Sequence, residues 1–340
     1  MDFRDAIAHI VAGMSLSEQE AQRAMEVIMN GEATPSQIAA FLAALRMKGE
    51  TVEEITGFAR TMRAKAIPVK TSHPSVVDTC GTGGDARQTF NISTTAAFVV
   101  AGAGLPVAKH GNRSISSRCG SADVLEQLGV QVAIPPAAVE RCLEEIGIGF
   151  MFAPSFHGAM RHAAGPRKEI GIRTVFNVLG PITNPAVATA QVLGVYDGRL
   201  TEVVAGVLQR LGTTGAFVVH GSDGLDEATI TGETKVTILR EGRLRTFYLA
   251  PEEVGLARAP LQSILGGTSE ENAAITKEVL QGRPGPCRDV VLLNASLAMV
   301  AGGKADTLRE GVELAARSID SGAALAKLEQ LISFTKGCAA

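Results

Sequence analysis

The spacing of apolar residues changes once along this chain, near residue 73, and that change constrains the fold more than any other feature. Before it, every apolar pattern has helical period. Phe3, Ile7, Ile10, Val11 and Met14 lie on one face of a first helix. Ser17 with Glu20 forms a capping box ahead of Ala21, Ala24, Met25, Ile28 and Met29, and Gly31 is a stop. Thr34-Pro35-Ser36-Gln37 starts a third helix bearing Ile38, Phe41, Leu42 and Leu45, closed by Gly49. Thr51 with Glu54 opens a fourth, with Ile55, Phe58 and Met62. After the Pro/Thr/Ser/His stretch from Pro68 to Pro74, short apolar runs alternate with helical patterns: Ser75–Thr79, Pro106–Lys109, Val130–Ala133, Ile148–Ala153, Gln191–Tyr196 and Ala216–His220. Val236–Arg240 and Leu244–Leu249 form a hairpin turning at Glu241-Gly242. The expectation is an α/β protein: a small all-helical domain, then a large domain with a mostly parallel sheet flanked by helices.

Composition excludes several classes. At 340 residues with 46% hydrophobic and 20% charged residues, the chain can bury a full core in about two domains. A net charge of −3, with no basic tail, gives no electrostatic reason to expect nucleic acid as a partner. The longest apolar stretches, Thr95–Ala108 and Val290–Ala301, are too short to span a membrane and read as buried helices. Cys80, Cys119, Cys142, Cys287 and Cys338 lie far apart without a C-x-x-C pair, which argues against zinc or a disulfide framework and suits a reducing cytoplasm. The acidic N-terminus lacks the order of a signal peptide.

Four segments carry chemistry. Val77 to Asp85 runs a strand into a loop where Gly81, Gly83 and Gly84 let backbone N–H groups approach a phosphate. Asn91-Ile92-Ser93-Thr94 opens an apolar helix, whose first turn suits an anion and whose hydroxyls can bind phosphate or metal. Lys109 to Ser117, directly after a strand, packs two cations, three serines and a glycine into nine residues, and Gly120-Ser121-Ala122-Asp123 starts another helix. Asp223-Gly224-Leu225-Asp226-Glu227, beyond a strand end, offers adjacent carboxylates to Mg²⁺, a hard ion that prefers oxygen. Singly these also fit a tight turn, an ordinary helix cap, a polar surface loop and a solvated acidic turn. Together, each at a strand or helix end, they point to a phosphate and metal site.

With Gly165-Pro166-Arg167-Lys168-Glu169 and Arg173-Thr174-Val175-Phe176-Asn177-Val178-Leu179-Gly180-Pro181-Ile182-Thr183-Asn184-Pro185, these segments resemble the anthranilate phosphoribosyltransferase family of tryptophan biosynthesis over essentially the whole chain. The resemblance implies a nucleoside phosphorylase/phosphoribosyltransferase type of fold. Residues 1–72 with a returning segment near 165–188 would form the helical domain, which dimerises and serves the acceptor, while 73–164 and 189–340 would form the large domain. It implies phosphoribosyl pyrophosphate as donor, anthranilate as acceptor, Mg²⁺ as cofactor and a homodimer. Carried over by position, the donor site comprises Gly81, Gly84, Asp85, Thr89, Asn91, Ile92, Ser93, Thr94, Lys109, His110, Gly111, Asn112, Arg113, Ser114, Ile115, Ser116, Ser117 and Ser121. Ser93, Asp226 and Glu227 would hold the metal, and Lys109, Asp226 and Glu227 would be catalytic. Anthranilate would contact Gly81, Asn112 and Arg167, near His110, His157 and Gly180-Pro181. Arg118-Cys119 departs from the family's usual lysine and small residue but keeps the charge.

The chemistry asks for positioning and charge neutralisation rather than a strong base. An aniline amine is largely unprotonated at neutral pH, and the hard step is loss of pyrophosphate from the ribose. Pro166 is expected to open a helix with Arg167 in its first turn, where a cation is unfavourable for the helix. A surface bridge to Glu169 or another acid would account for it, and the resemblance implies a bond to the anthranilate carboxylate instead. Two alternatives share the scaffold: a pyrimidine nucleoside phosphorylase, poorly matched by Lys109–Ser117 and Gly180-Pro181, and a nucleic-acid-binding relative, which would lack Asp226-Glu227.

Overall fold

The computed structural model describes residues 2–114 and 118–338. It opens with α1 (Phe3–Val11), α2 (Glu18–Met29), α3 (Pro35–Lys48) and α4 (Val52–Lys65). The expected capping box at Ser17 is present, and the expected starts at Thr34 and Thr51 are capping boxes too, each pairing the cap side chain with the third helical N–H and the third side chain with the cap N–H. A fourth, Asp2 with Asp5, starts α1. Phe3, Phe41 and Phe58 stack in series at ring separations of 5.2 and 5.9 Å, fixing α1 and α4 against α3. Glu54 does more than cap: it is wholly buried, pairs with Lys48 at 2.9 Å and accepts the Leu16 N–H at 2.9 Å. Val11 and Met14 do not share the buried face. They are 71% and 48% exposed, because α1 ends at Val11 and the left-handed Gly13 turns the chain before Met14.

The remainder alternates as β1 (Val77–Gly81), α5 (Ile92–Gly102), β2 (Val107–Gly111), α6 (Ser121–Leu128), α7 (Pro136–Ile146), β3 (Ile148–Phe152), α8 (Ala153–Phe156), α9 (Arg161–Ile170), α10 (Phe176–Ile182), β4 (Ala190–Gly194), α11 (Leu200–Arg210) and β5 (Gly215–Gly221). The hairpin β6 (Thr234–Arg240) and β7 (Arg243–Leu249) follows, then α12 (Ser269–Leu280), α13 (Pro286–Ala301), α14 (Leu308–Asp320) and α15 (Ala323–Gly337). The strands form one sheet in the order β3-β2-β1-β4-β5-β6-β7. β1 to β5 run parallel, and β6 and β7 close one end antiparallel, so the sheet is mostly parallel as expected. Among the described residues no helix is long and apolar enough to cross a membrane.

Two expectations fail locally. Val130–Ala133 is not a strand. Val130, Val132 and Ile134 are buried beneath α15, but the Gln131 N–H donates to Thr335 Oγ1 at 3.1 Å, so a side chain takes the place of a neighbouring strand. Thr95–Ala108 is not one helix: α5 stops at Gly102, and the stretch re-enters the core as β2.

The sheet has a core on each face. One holds α5, α13, α14 and α15. On the other, residues of β4, β5 and α11 share a continuous core with α1 to α4 and with Ala163, Phe176, Leu179 and Ile182 of α9 and α10. The segment 165–188 thus lies against the N-terminal helices, and Arg63 Nε donates to the Ile182 carbonyl at 3.0 Å. α9 begins at Arg161, so Pro166 sits inside it and Arg167 in its last turn. The expected first-turn placement is wrong: the chain is already helical when it reaches Pro166, which removes one N–H from the ladder without ending it. A cation in the last turn agrees with the helix dipole, so the helix itself supplies no argument for a ligand.

Candidate active site

The chain leaves β1 in one direction for β2 and β3 and returns on the other side as β4. A crevice at the carboxyl ends of β1 and β4 is where open α/β sheets place ligands. Gly81 and Gly194 face each other there in register. Both must be glycine: a Cβ on Gly81 would overlap the Asp226 carboxylate, and one on Gly194 the Asp226 carbonyl. The bare strand ends let the loop after β5 lie directly on the floor of the crevice.

The loop after β1 is shaped by left-handed residues. Gly83, Gly84, Ala86 and Gln88 all have φ between 58° and 78°, a conformation that costs Ala86 and Gln88 roughly 1 kcal/mol each. The Gly83 N–H donates to Asp226 Oδ2 at 2.6 Å, and the Tyr196 N–H donates to Thr82 Oγ1 at 3.0 Å. Thr89 bridges to Leu265, in a segment that nothing in the sequence had linked to the site.

Asn91 stands at the cap position of α5 without capping it. Its amide is used sideways, accepting from Asn272 Nδ2 at 3.0 Å and donating to the Cys119 carbonyl at 3.3 Å. Glu227 takes over, its Oε1 accepting the Ser93 N–H at 3.1 Å. Ile92 and Thr94 point into the core. Burial pushes the Cys119 thiol up to about 11, which argues against a nucleophile.

Asp226 and Glu227 are brought together with Asp85 and Ser93. Burial first, then Asp85 and Glu227, hold the Asp226 carboxyl well above the usual range. Burial raises Glu227 to about 7 against the opposing pull of Lys109 and Ser93. Carboxylates crowded this way need a cation to stay ionised, and an all-oxygen set suits Mg²⁺. Among the described residues, no three His, Cys, Asp or Glu form a closed cage.

Lys109 is only 4% exposed and donates to the Thr79 carbonyl, so its charge acts from beneath the crevice, on Asp78 and Glu227. Asp78, not anticipated from sequence, is fully buried and raised by that burial to about 6. It accepts from Asn184 Nδ2 at 2.8 Å and the His110 N–H at 3.3 Å. Asn184 Nδ2 also donates to the Ala108 carbonyl at 2.8 Å, tying the returning segment to β1 and β2. An aspartate amid apolar strand residues, with an asparagine in a Thr-Asn-Pro turn, was the available signal. His110 and His157 are buried with ring centroids 5.0 Å apart, and neither Nε2 has a hydrogen-bond partner among the described residues. Desolvation drives His110 down to about 3 and lowers His157, so both imidazoles are neutral and His110 is no base near pH 7.

Gly111, Asn112, Ser114 and Ser121 lie at the end of β2, where Ser121 Oγ donates to the Asn112 carbonyl at 3.2 Å and Asp123 accepts the Ser114 N–H at 3.0 Å. Arg113 turns away from the crevice, holding Glu126 at 2.5 Å and Asp123 at 3.3 Å. Ile115, Ser116 and Ser117 lie outside the described residues. Arg167 is half-buried over the Phe176 ring at 5.0 Å, with its basicity lowered by desolvation and no ion pair among the described residues.

Residues 4–66 match the model of the glycosyl transferase family helical bundle domain, and residues 73–325 that of the glycosyl transferase family a/b domain. The anthranilate phosphoribosyltransferase of Moorella thermoacetica is 65% identical over 334 residues, covering 98% of each chain. The crystal structure of anthranilate phosphoribosyltransferase from Thermus thermophilus superposes with a TM-score of 0.93 at 46% identity, over 98% of this chain and 99% of that one. The Saccharomyces cerevisiae enzyme in complex with phosphoribosyl pyrophosphate and Mg superposes with a TM-score of 0.90 at 30% identity, over 98% of both chains. With the crevice, its paired carboxylates and this full-length likeness in view, the chain belongs to the anthranilate phosphoribosyltransferase family.

Proposed function

We propose that the protein transfers the phosphoribosyl group of phosphoribosyl pyrophosphate to the amine of anthranilate, releasing pyrophosphate, in the cytoplasm. The observation that carries this is the convergence of the glycine loop, the α5 start and Asp226-Glu227 on the β1/β4 crevice. Ser93, Asp226 and Glu227 are the residues that would hold Mg²⁺, whose chemistry there is neutralisation of the departing pyrophosphate. The donor site is Gly81, Gly84, Asp85, Thr89, the α5 start at Asn91 to Thr94, Lys109 to Asn112, Ser114 to Ser117, and Ser121, with Arg113 left to its ion pairs on α6. Lys109 contributes its positive field from below, and backbone N–H groups of the left-handed loop face the phosphates.

Arg167, a desolvated cation without a protein counterion among the described residues, receives the anthranilate carboxylate, with Gly81 and Asn112 beside it. The neutral His110 and His157 line the acceptor side without taking its proton. Residues 1–72 with 165–188 act as the acceptor-side domain, and 73–164 with 189–340 as the donor domain. Val11, Met14 and Met47, large apolar side chains exposed on the helical unit, favour a homodimer formed through that unit.

The test is the loss of anthranilate fluorescence on mixing with the protein, donor and Mg²⁺. Fluorescence should fall only when all are present and stop falling in chelator. Constant fluorescence with all present overturns the reading, and decay that survives chelation overturns the metal's part in it.

A further inference from the structure

We propose that Arg173 is a positioning residue for the donor: it presets the glycine loop, and so links the acceptor-side segment to phosphate binding. The inference rests on reading that loop as the donor site. Arg173 lies between α9 and α10, just past the left-handed Gly171 that ends α9. Its guanidinium donates to the Gly84 carbonyl and lies over the Tyr196 ring, 4.3 Å from the centroid. Tyr196 follows β4, and its own N–H holds Thr82. One exposed cation therefore joins the returning segment, the exit of β4 and the glycine loop.

Nothing about Arg173 suggests a stabilising role. It is exposed and forms no ion pair among the described residues, and an exposed stacked cation contributes little to folding. What it does control is a peptide plane. A trans peptide is rigid, with its carbonyl and N–H pointing opposite ways. Holding the Gly84 carbonyl toward Arg173 therefore directs the Asp85 N–H away from it. On the other side of the loop, Asp226 holds the Gly83 N–H at 2.6 Å. The loop is clamped from both domains, and Gly84, at φ 78°, could otherwise flip freely. A Cβ at Gly84 would sit 3.4 Å from the Arg173 guanidinium, so the contact is close-fitting as well as polar.

The test compares Michaelis constants. Arg173→Ala should raise the donor KM about tenfold, with kcat within about threefold, anthranilate KM within about twofold and the melting temperature unchanged. Arg173→Lys should recover part of the loss, since it restores a donor to the carbonyl but not the stack on Tyr196. Gly84→Ala serves as the reference for the loop itself. If Gly84→Ala raises the donor KM and Arg173→Ala does not, Arg173 is no positioning residue while the loop reading stands. If Gly84→Ala leaves the donor KM unchanged, the loop is not the donor site and both fail. A change confined to anthranilate KM in Arg173→Ala also overturns the proposal.

Discussion

The start of α2 and the start of α5 face the same problem and solve it over very different distances. Each helix exposes N–H groups that need acceptors. At α2 the solution lies three residues apart, in Ser17 and Glu20. At α5 the residue in the cap position is engaged elsewhere, and the acceptor is Glu227, 134 residues further along the chain. A local cap serves only the helix. A distant carboxylate gains from the helix dipole as any acidic cap does, but Glu227, buried beside Asp226 and Asp85, is crowded by like charge, and a cation would relieve that crowding.

The largest test of this contrast is Asp226→Asn with Glu227→Gln. The amide oxygen at position 227 can still accept the Ser93 N–H, so the fold should survive. Turnover should nevertheless fall by roughly a thousandfold, about 4 kcal/mol of transition-state stabilisation. Steady-state kinetics with a thermal melt check it, and retained activity with unchanged Mg²⁺ dependence would show that the distant cap is only a cap.

In the helical unit the expected losses concern stability instead. Glu54→Ala leaves Lys48 and the Leu16 N–H without their buried acceptor and should cost about 3 kcal/mol in chemical denaturation. The kcat of the folded enzyme should stay unchanged, and a kinetic defect would mean that the helical unit shapes the crevice directly.

Arg167→Ala lies between the two cases, since Arg167 belongs to α9 but is proposed to receive the acceptor. The anthranilate KM should rise by one to two orders of magnitude, a loss of about 1.5–3 kcal/mol, with the donor KM within a few-fold. Wild-type anthranilate kinetics would remove Arg167 from the site. The smallest effect is expected of Ser17→Ala, about 1 kcal/mol of stability with no kinetic change. A much larger loss would mean that this cap is not purely local.

The same distinction separates what could be read from sequence. The capping boxes at Ser17, Thr34 and Thr51 and the Glu241-Gly242 hairpin involve residues a few positions apart, so their patterns are visible in the chain. The glycine loop and Asp226-Glu227 were visible as chemistry, and the family resemblance put them together. Other placements depend on contacts between remote segments. Val130, Val132 and Ile134 alternate like a strand, yet whether they pair depends on Thr335. Arg113 reads as a phosphate ligand until α6 presents Glu126. Lys109 reads as a direct phosphate ligand until the Thr79 carbonyl takes its ammonium. Asp78 and Asn184 each stand out singly in the chain, but their pairing across 106 residues does not, and Arg173 with Gly84 and Tyr196 had no local pattern at all.

The pairing of β1 with β4 also imposes an order in time. Val77 lies opposite Ala190, so the strand that floors the crevice has its neighbour on that side 113 residues later. Closing so long a loop is slow compared with winding helices from adjacent residues. During synthesis from the N-terminus, α1 to α4 can form while β1 still lacks β4, and no crevice can exist until residue 194 has left the ribosome. Nascent chains stalled before β4 should therefore show a protease-resistant N-terminal fragment and no resistance around Gly81. Early protection of Gly81 in such chains would contradict this order.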